Sequence, residues 1–339
     1  MRSAIVVAAI SIVSSTPAFA HHSSTRFDLE KTVDLVGVVA RLEWANPHVY
    51  IYLDASDGSG QWEIESLPPA AMRRLGWSPD SLAAGERVAI SVYPHKTRAL
   101  EGHYKSVEKA DGTKLGSVDE TREAYTTRGS APRASAESLV GIWLTLLNFE
   151  TEPHLRDPQM KDRSVWPLTP AAETALATYR EEVDHPGINC VPRTAPTMMF
   201  LPDTKAIELR GEDFVIRGEL DNVDRVVHMN VDSHAGAEAS LQGHSIGRWE
   251  ARTLVVDTRL FTEHRNSTFK SLPSSVDKHL VERFELAANG ETLLYSYVLE
   301  DPKYLTAPVT GRLEFAYRPD LTYSPPPCNL ENARRFMKE

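Results

Sequence analysis

Two histidines, His21 and His22, stand directly behind Ala18-Phe19-Ala20. That A-x-A triplet follows Arg2 and the apolar run Ala4 to Val13, the layout of a secretory leader with its cleavage site. Cleavage after Ala20 leaves His21 with a free α-amine and an imidazole on one residue. Those two nitrogens can chelate one ion, and a second histidine completes a T-shaped set of three. Amine and imidazole nitrogens suit Cu(II), which also tops the divalent affinity order. The amine titrates at about 8, so a metal displaces its proton near neutral pH. His22 and His48 compete for the remaining position, with His103 behind them. Adjacent histidines reach one ion poorly, so His48 is preferred. The Asn46-Pro47 turn fixes its backbone and the strand after it stiffens it. The competing expectation is a frayed terminus and a structural strand histidine.

A second constellation lies in the C-terminal half. His244 stands near Asp257 in sequence, and His279, Glu282 and Arg283 share a later strand. A histidine that meets a carboxylate can act as a general base, so His244 with Asp257 or Glu282 forms a candidate catalytic group. Alternation along a strand puts Asp257 on the face of Val255, opposite Leu254 and Val256. By the same count Glu282 shares a face with Phe284, and Arg283 lies on the opposite one. The alternative is structural: an Arg–carboxylate pair closing one end of a barrel. Ser245 sits in G-H-S-I-G, but strand-like residues follow it, whereas a nucleophile elbow needs a helix.

Trp143, Trp249 and Tyr297, with Trp166 and Tyr295, either line a small apolar ligand cavity or belong to the core. Cys190 and Cys328 are the chain's two cysteines. In an oxidising compartment they are expected to pair.

The elements that must position these groups are mostly strands. Val33 to Trp44, His48 to Asp54, Gln61 to Glu65, Arg87 to Tyr93 and His103 to Lys109 read as five strands. A short helix from Pro69 falls between the third and the fourth. That is the element order of an OB-type barrel over residues 21–116. Residues 117–136 are polar, aperiodic and contain Pro132, as a linker does. Residues 137–339 carry a helix from Thr169-Pro170 and many short strands joined by turns, with Asn289-Gly290 as a hairpin signal. The expected fold is all-β with minor α: a small OB-like barrel, then an antiparallel barrel (lipocalin-like, with Gly141-Ile142-Trp143 near its first strand) or a sandwich.

Composition narrows the partners. The formal net charge of −10 disfavours nucleic acid, whose phosphates need a basic surface. No segment after the leader is apolar enough for a transmembrane helix, so the expected location is periplasmic or secreted.

Two stretches resemble exported bacterial β-protein families of unknown activity. His21-His22-Ser23, Glu43 to His48 (EWANPH) and Leu75-Gly76-Trp77 are similar to one. Gly243 to Glu250 (GHSIGRWE) and Thr253 to Thr258 (TLVVDT), with Glu282-Arg283-Phe284, Asp301-Pro302 and Cys328-Asn329, are similar to the second. Ala251-Arg252 replaces the Gly-Asp turn usual in that second family. The resemblance implies export and a β fold but no chemistry. The reading that combines these signals is an exported binding protein with copper at His21 and a small apolar ligand in the second barrel. Its alternatives are a small-molecule hydrolase, lyase or isomerase working through His244, and an envelope interaction module.

Overall fold

The computed structural model describes residues 26–120, 133–146, 166–268 and 272–335. Strands β1 (Val33–Glu43), β2 (Tyr50–Ala55), β3 (Gln61–Glu65), β4 (Arg87–Pro94) and β5 (Glu101–Lys109) close in the order β1-β2-β3-β5-β4, and β6 (Lys114–Leu115) extends β5. Only the β3–β5 joint of this barrel is parallel. The helix Pro69–Arg74 follows β3, and its Met72 is buried in the core with Ile51, Leu53, Ile64 and Ile90. This is the OB arrangement expected from element order. Gly37 lets β1 approach β2: a Cβ there would lie 2.4 Å from the Asp54 carbonyl oxygen.

The larger barrel is built from β7 (Gly141–Leu146), β8 (Thr204–Arg210), β9 (Asp213–Gly218), β10 (Val223–His228), β11 (His244–Glu250) and β12 (Thr253–Arg259). After a side hairpin of β13 (His264–Thr268) and β14 (Leu272–Ser274) come β15 (His279–Leu286), β16 (Thr292–Glu300) and β17 (Val309–Tyr317). Nine of these close as β10-β11-β12-β15-β16-β17-β7-β8-β9. The barrel is antiparallel except at β10–β11, which runs parallel. Two consecutive parallel strands force the connection, residues 229–243, to travel back along the wall. Residues 244–250 form strand β11 throughout. Gly247 permits it, since a Cβ would lie 2.5 Å from the Met229 sulfur. At the β11–β12 turn Ala251 holds φ +54° where a glycine would be unstrained. An L-residue there costs about 1–2 kcal/mol.

Side chains fill the large barrel. Leu254, Val256, Leu280, Phe284, Tyr295, Leu299, Leu313 and Phe315 belong to one buried cluster. The single helical turn Thr197–Phe200 adds Met198, Met199 and Phe200 to it. The three aromatics proposed for a ligand cavity are therefore separated. Trp143 is fully buried against Tyr317, with ring centroids 5.1 Å apart. Tyr297 packs edge-on to Phe200 at 5.6 Å. Trp249 is 49% exposed beside Phe214. Trp249 pairs with the inward-facing Leu254, so its exposure reflects its place near the end of β11 and not a different face of the wall.

The C-terminal segment straps the two barrels together. Ser324 N donates to Glu219 Oε1 (3.2 Å), and Arg73 of the small barrel pairs with the same glutamate. Cys328 is bonded to Cys190, with Cα atoms 5.9 Å apart, and bridges to Asn46 on the small barrel. Arg335 then pairs with Glu43 at 2.9 Å and stacks over the Tyr50 ring at 4.2 Å. The strap thus lies beside β2, over part of the small barrel's outer surface. Among the described residues no helix is long and apolar enough to cross a membrane.

Candidate functional site

A cleft of about 280 Å³ opens between the barrels. His48, Tyr50, Glu65 and Arg26 line it from the small barrel, and His185, Arg193 and Asp221 from the large one, with Cys190–Cys328 in its wall. The strap sets the position of His48. Asn46 N donates to the Pro327 carbonyl (3.3 Å), Asn46 Nδ2 to the Pro326 carbonyl (3.2 Å), and Asn332 Nδ2 to the His48 carbonyl (2.8 Å).

The His48 side chain is set by Glu65. Nδ1 lies 2.8 Å from Glu65 Oε1, and a carboxylate can only accept, so Nδ1 carries the hydrogen. The neutral ring then presents an unprotonated Nε2, which makes no hydrogen bond to a described residue. Glu65 is buried and also takes Arg26 Nη2 at 2.6 Å and the Tyr50 hydroxyl at 3.1 Å. Burial alone would raise its carboxyl, but His48 and then Arg26 outweigh burial and hold it at about 2, below the usual 4.5. A carboxyl lowered by folding contributes stability above its unfolded value, lost as pH falls toward the folded one. Unfolding free energy should therefore drop by about 3 kcal/mol between about pH 5 and about pH 2 on account of Glu65. Urea unfolding across that range should show the slope, and Glu65→Gln should flatten it.

The opposite wall is electrically closed. Arg193 grips Asp221 through two bonds of 2.7 Å. Burial would raise the Asp221 carboxyl, but Arg193 holds it down. His103 is a core residue: its Nδ1 donates to the Tyr104 carbonyl (2.9 Å), and burial pushes its imidazole down. His21 and His22 lie outside the described residues. Among the described residues no three His, Cys, Asp or Glu side chains are placed to share a metal ion.

The His244 group folds differently from its expectation. Asp257 is on the outer wall and Glu282 inside the barrel, as alternation requires, so Glu282 cannot serve His244. Glu282 instead pairs with Arg225, whose side chain is 1% exposed against 0% for the glutamate. Arg225 also bonds Ser245 Oγ (3.0 Å) and Thr258 Oγ1 (2.7 Å), while the Tyr295 hydroxyl donates to Glu282 (2.9 Å). Ser245 is thus a buried structural hydroxyl on a strand.

Among the described residues His244 is linked to Asp257 through His234: the two Nδ1 atoms lie 2.9 Å apart, and His234 Nε2 lies 3.0 Å from Asp257 Oδ1. His279 Nε2 takes the other oxygen at 3.1 Å, and His228 stacks on His244 at 5.1 Å. Sequence reasoning missed His228 and His234. His234 sits in the β10–β11 connection, where no periodicity says what a side chain meets; only the parallel joint brings it over β12. This chain of groups could polarise a base, yet none of its members lines the interbarrel cleft.

Fold and site define a class: a two-barrel β-protein, strapped by a disulfide-anchored tail, with a carboxylate-oriented histidine in the cleft between its barrels. Residues 9–104, which hold most of the small barrel, match a family of unknown function, DUF6152. No curated protein matches the chain.

Proposed function

We propose that this is an exported binding protein that holds a copper ion in the cleft between its barrels, using the amine and imidazole of His21 and the Nε2 of His48. The observation that carries the reading is the Glu65–His48 hydrogen bond. A carboxylate on the far nitrogen of an imidazole fixes its tautomer and raises its basicity, as around metal-bound histidines. Glu65 also anchors Arg26. Five peptide steps join His21 to Arg26, a span of up to about 17 Å, which is long enough for the first residue to reach His48. The apolar part of the cleft, including Pro47, Pro68, Val191 and Leu220, suits a small ligand beside the ion.

Copper titration of protein starting at His21 tests this. One equivalent of Cu(II) should bind. Protein with one extra residue before His21, and the His48→Ala variant, should each bind at least about 100-fold more weakly, the loss typical of removing a ligand or its support. Equal affinity in all three overturns the reading, as does a secreted chain whose first residue is not His21.

A further inference from the structure

The connection between β10 and β11 is fastened to the outer wall at three places. At one end Met229 N donates to Asp213 Oδ1 (3.0 Å). At the other, Ser240 N donates to the Leu260 carbonyl (3.0 Å) and Thr262 N to the Ser240 carbonyl (2.9 Å). Between them the fastening is His234, on Asp257 and His244.

The contact between His234 and His244 has one reading. Their Nδ1 atoms are 2.9 Å apart and their ring centroids 5.1 Å, so the nitrogens lie near the line joining the rings and face each other. A proton fits between them. A metal ion about 2 Å from each nitrogen would have to sit off that line, where neither lone pair points. Such a bond requires one nitrogen with hydrogen and one without.

We propose that residues 229–243 form a proton-operated latch, closed while at least one of His234 and His244 is neutral and released when both rings are protonated. A proton on either ring alone keeps the bond, because that ring's Nδ1 then donates to the other. With His234 protonated, a second proton on His244 sets two N–H groups against each other. It also puts a cation under the stacked ring of His228 and across from Arg259, its register partner on β12. The nearby acids are engaged elsewhere: Asp213 of β9 with His228, Asp257 of β12 with His234 and His279, and Glu300 of β16 with His279. None of them accepts from His244. Burial first, then His228 and His234, push the His244 imidazole below its usual 6.5. The released segment therefore takes the proton more readily than the closed one, and the closed form loses stability as pH falls below that value.

Hydrogen exchange on the full chain at about pH 7.5 and about pH 5, corrected for intrinsic rates, tests the latch. Protection over residues 234–244 should fall about tenfold or more at the lower pH, the effect of losing roughly one net hydrogen bond. Protection in β16 should not change. His244→Asn places a non-titrating amide where Nδ1 stood and should remove the pH effect, while His234→Ala should be loose at both pH values. Equal wild-type protection at the two pH values overturns the latch, and so does a His244→Asn variant that loosens in acid as the wild type does.

Discussion

Replacing Cys190 and Cys328 together by alanine should lower the unfolding free energy by about 4–5 kcal/mol. The two residues are 138 apart in sequence, and a cross-link over so long a loop removes about 5 kcal/mol of chain entropy from the unfolded state. The bond also holds the strap where Asn46 and His48 need it. Without it, the hydrogen bonds from Asn46 to Pro326 and Pro327, and from Asn332 to His48, must fasten the tail alone. Urea unfolding of the double variant measures the loss, and amide exchange at Asn46 and Asn329 reports whether the strap stays docked. A loss under about 1 kcal/mol, the scale of an ordinary surface change, would show that the tail is held without the disulfide. The double substitution matters, because a single one leaves a free thiol that can cross-link two chains.

The second large effect belongs inside the large barrel. Glu282→Ala should destabilise the protein by about 3–5 kcal/mol, since it leaves Arg225 charged and buried without its partner. It also strands the hydroxyl of Tyr295, whose own ionisation burial and Glu282 push far up. Removing both charges with Arg225→Met and Glu282→Leu should recover most of the loss, because a well-packed apolar pair often matches a buried ion pair. Urea midpoints of the three proteins decide it. A double variant no more stable than Glu282→Ala would mean that the bonds of Arg225 to Ser245 and Thr258 carry the effect instead.

The inward placement of Glu282 follows from strand alternation alone, and so does the outward placement of Asp257. Both faces were legible because β12 and β15 are regular, without a bulge in their shared register. His48 was legible for a similar reason, since a proline turn and a strong strand flank it. The partners of these groups were another matter. Glu65 ends β3 and reads in sequence as one more strand glutamate, yet the β2–β3 register sets it beside Tyr50 and under His48. Arg225 looks like a surface residue of β10 until the barrel closes around it. Depth along the barrel was not legible either: Trp143 and Tyr297 are buried, while Trp249, near the end of β11, is half exposed.

What the residue order determined by itself was local: strand periodicity, the helix after Pro69, the OB succession of elements, and two cysteines suited to pair. These depend on contacts a few residues apart, which dihedral preference and alternation encode directly. The tertiary structure decided which carboxylate each histidine meets, that one joint of the large barrel runs parallel, and that the tail crosses both barrels. Those outcomes depend on barrel closure and on pairings across as many as 292 residues, such as Glu43 with Arg335. No short-range pattern in a chain carries that information, because the free energy that selects such pairings appears only when the whole core is buried.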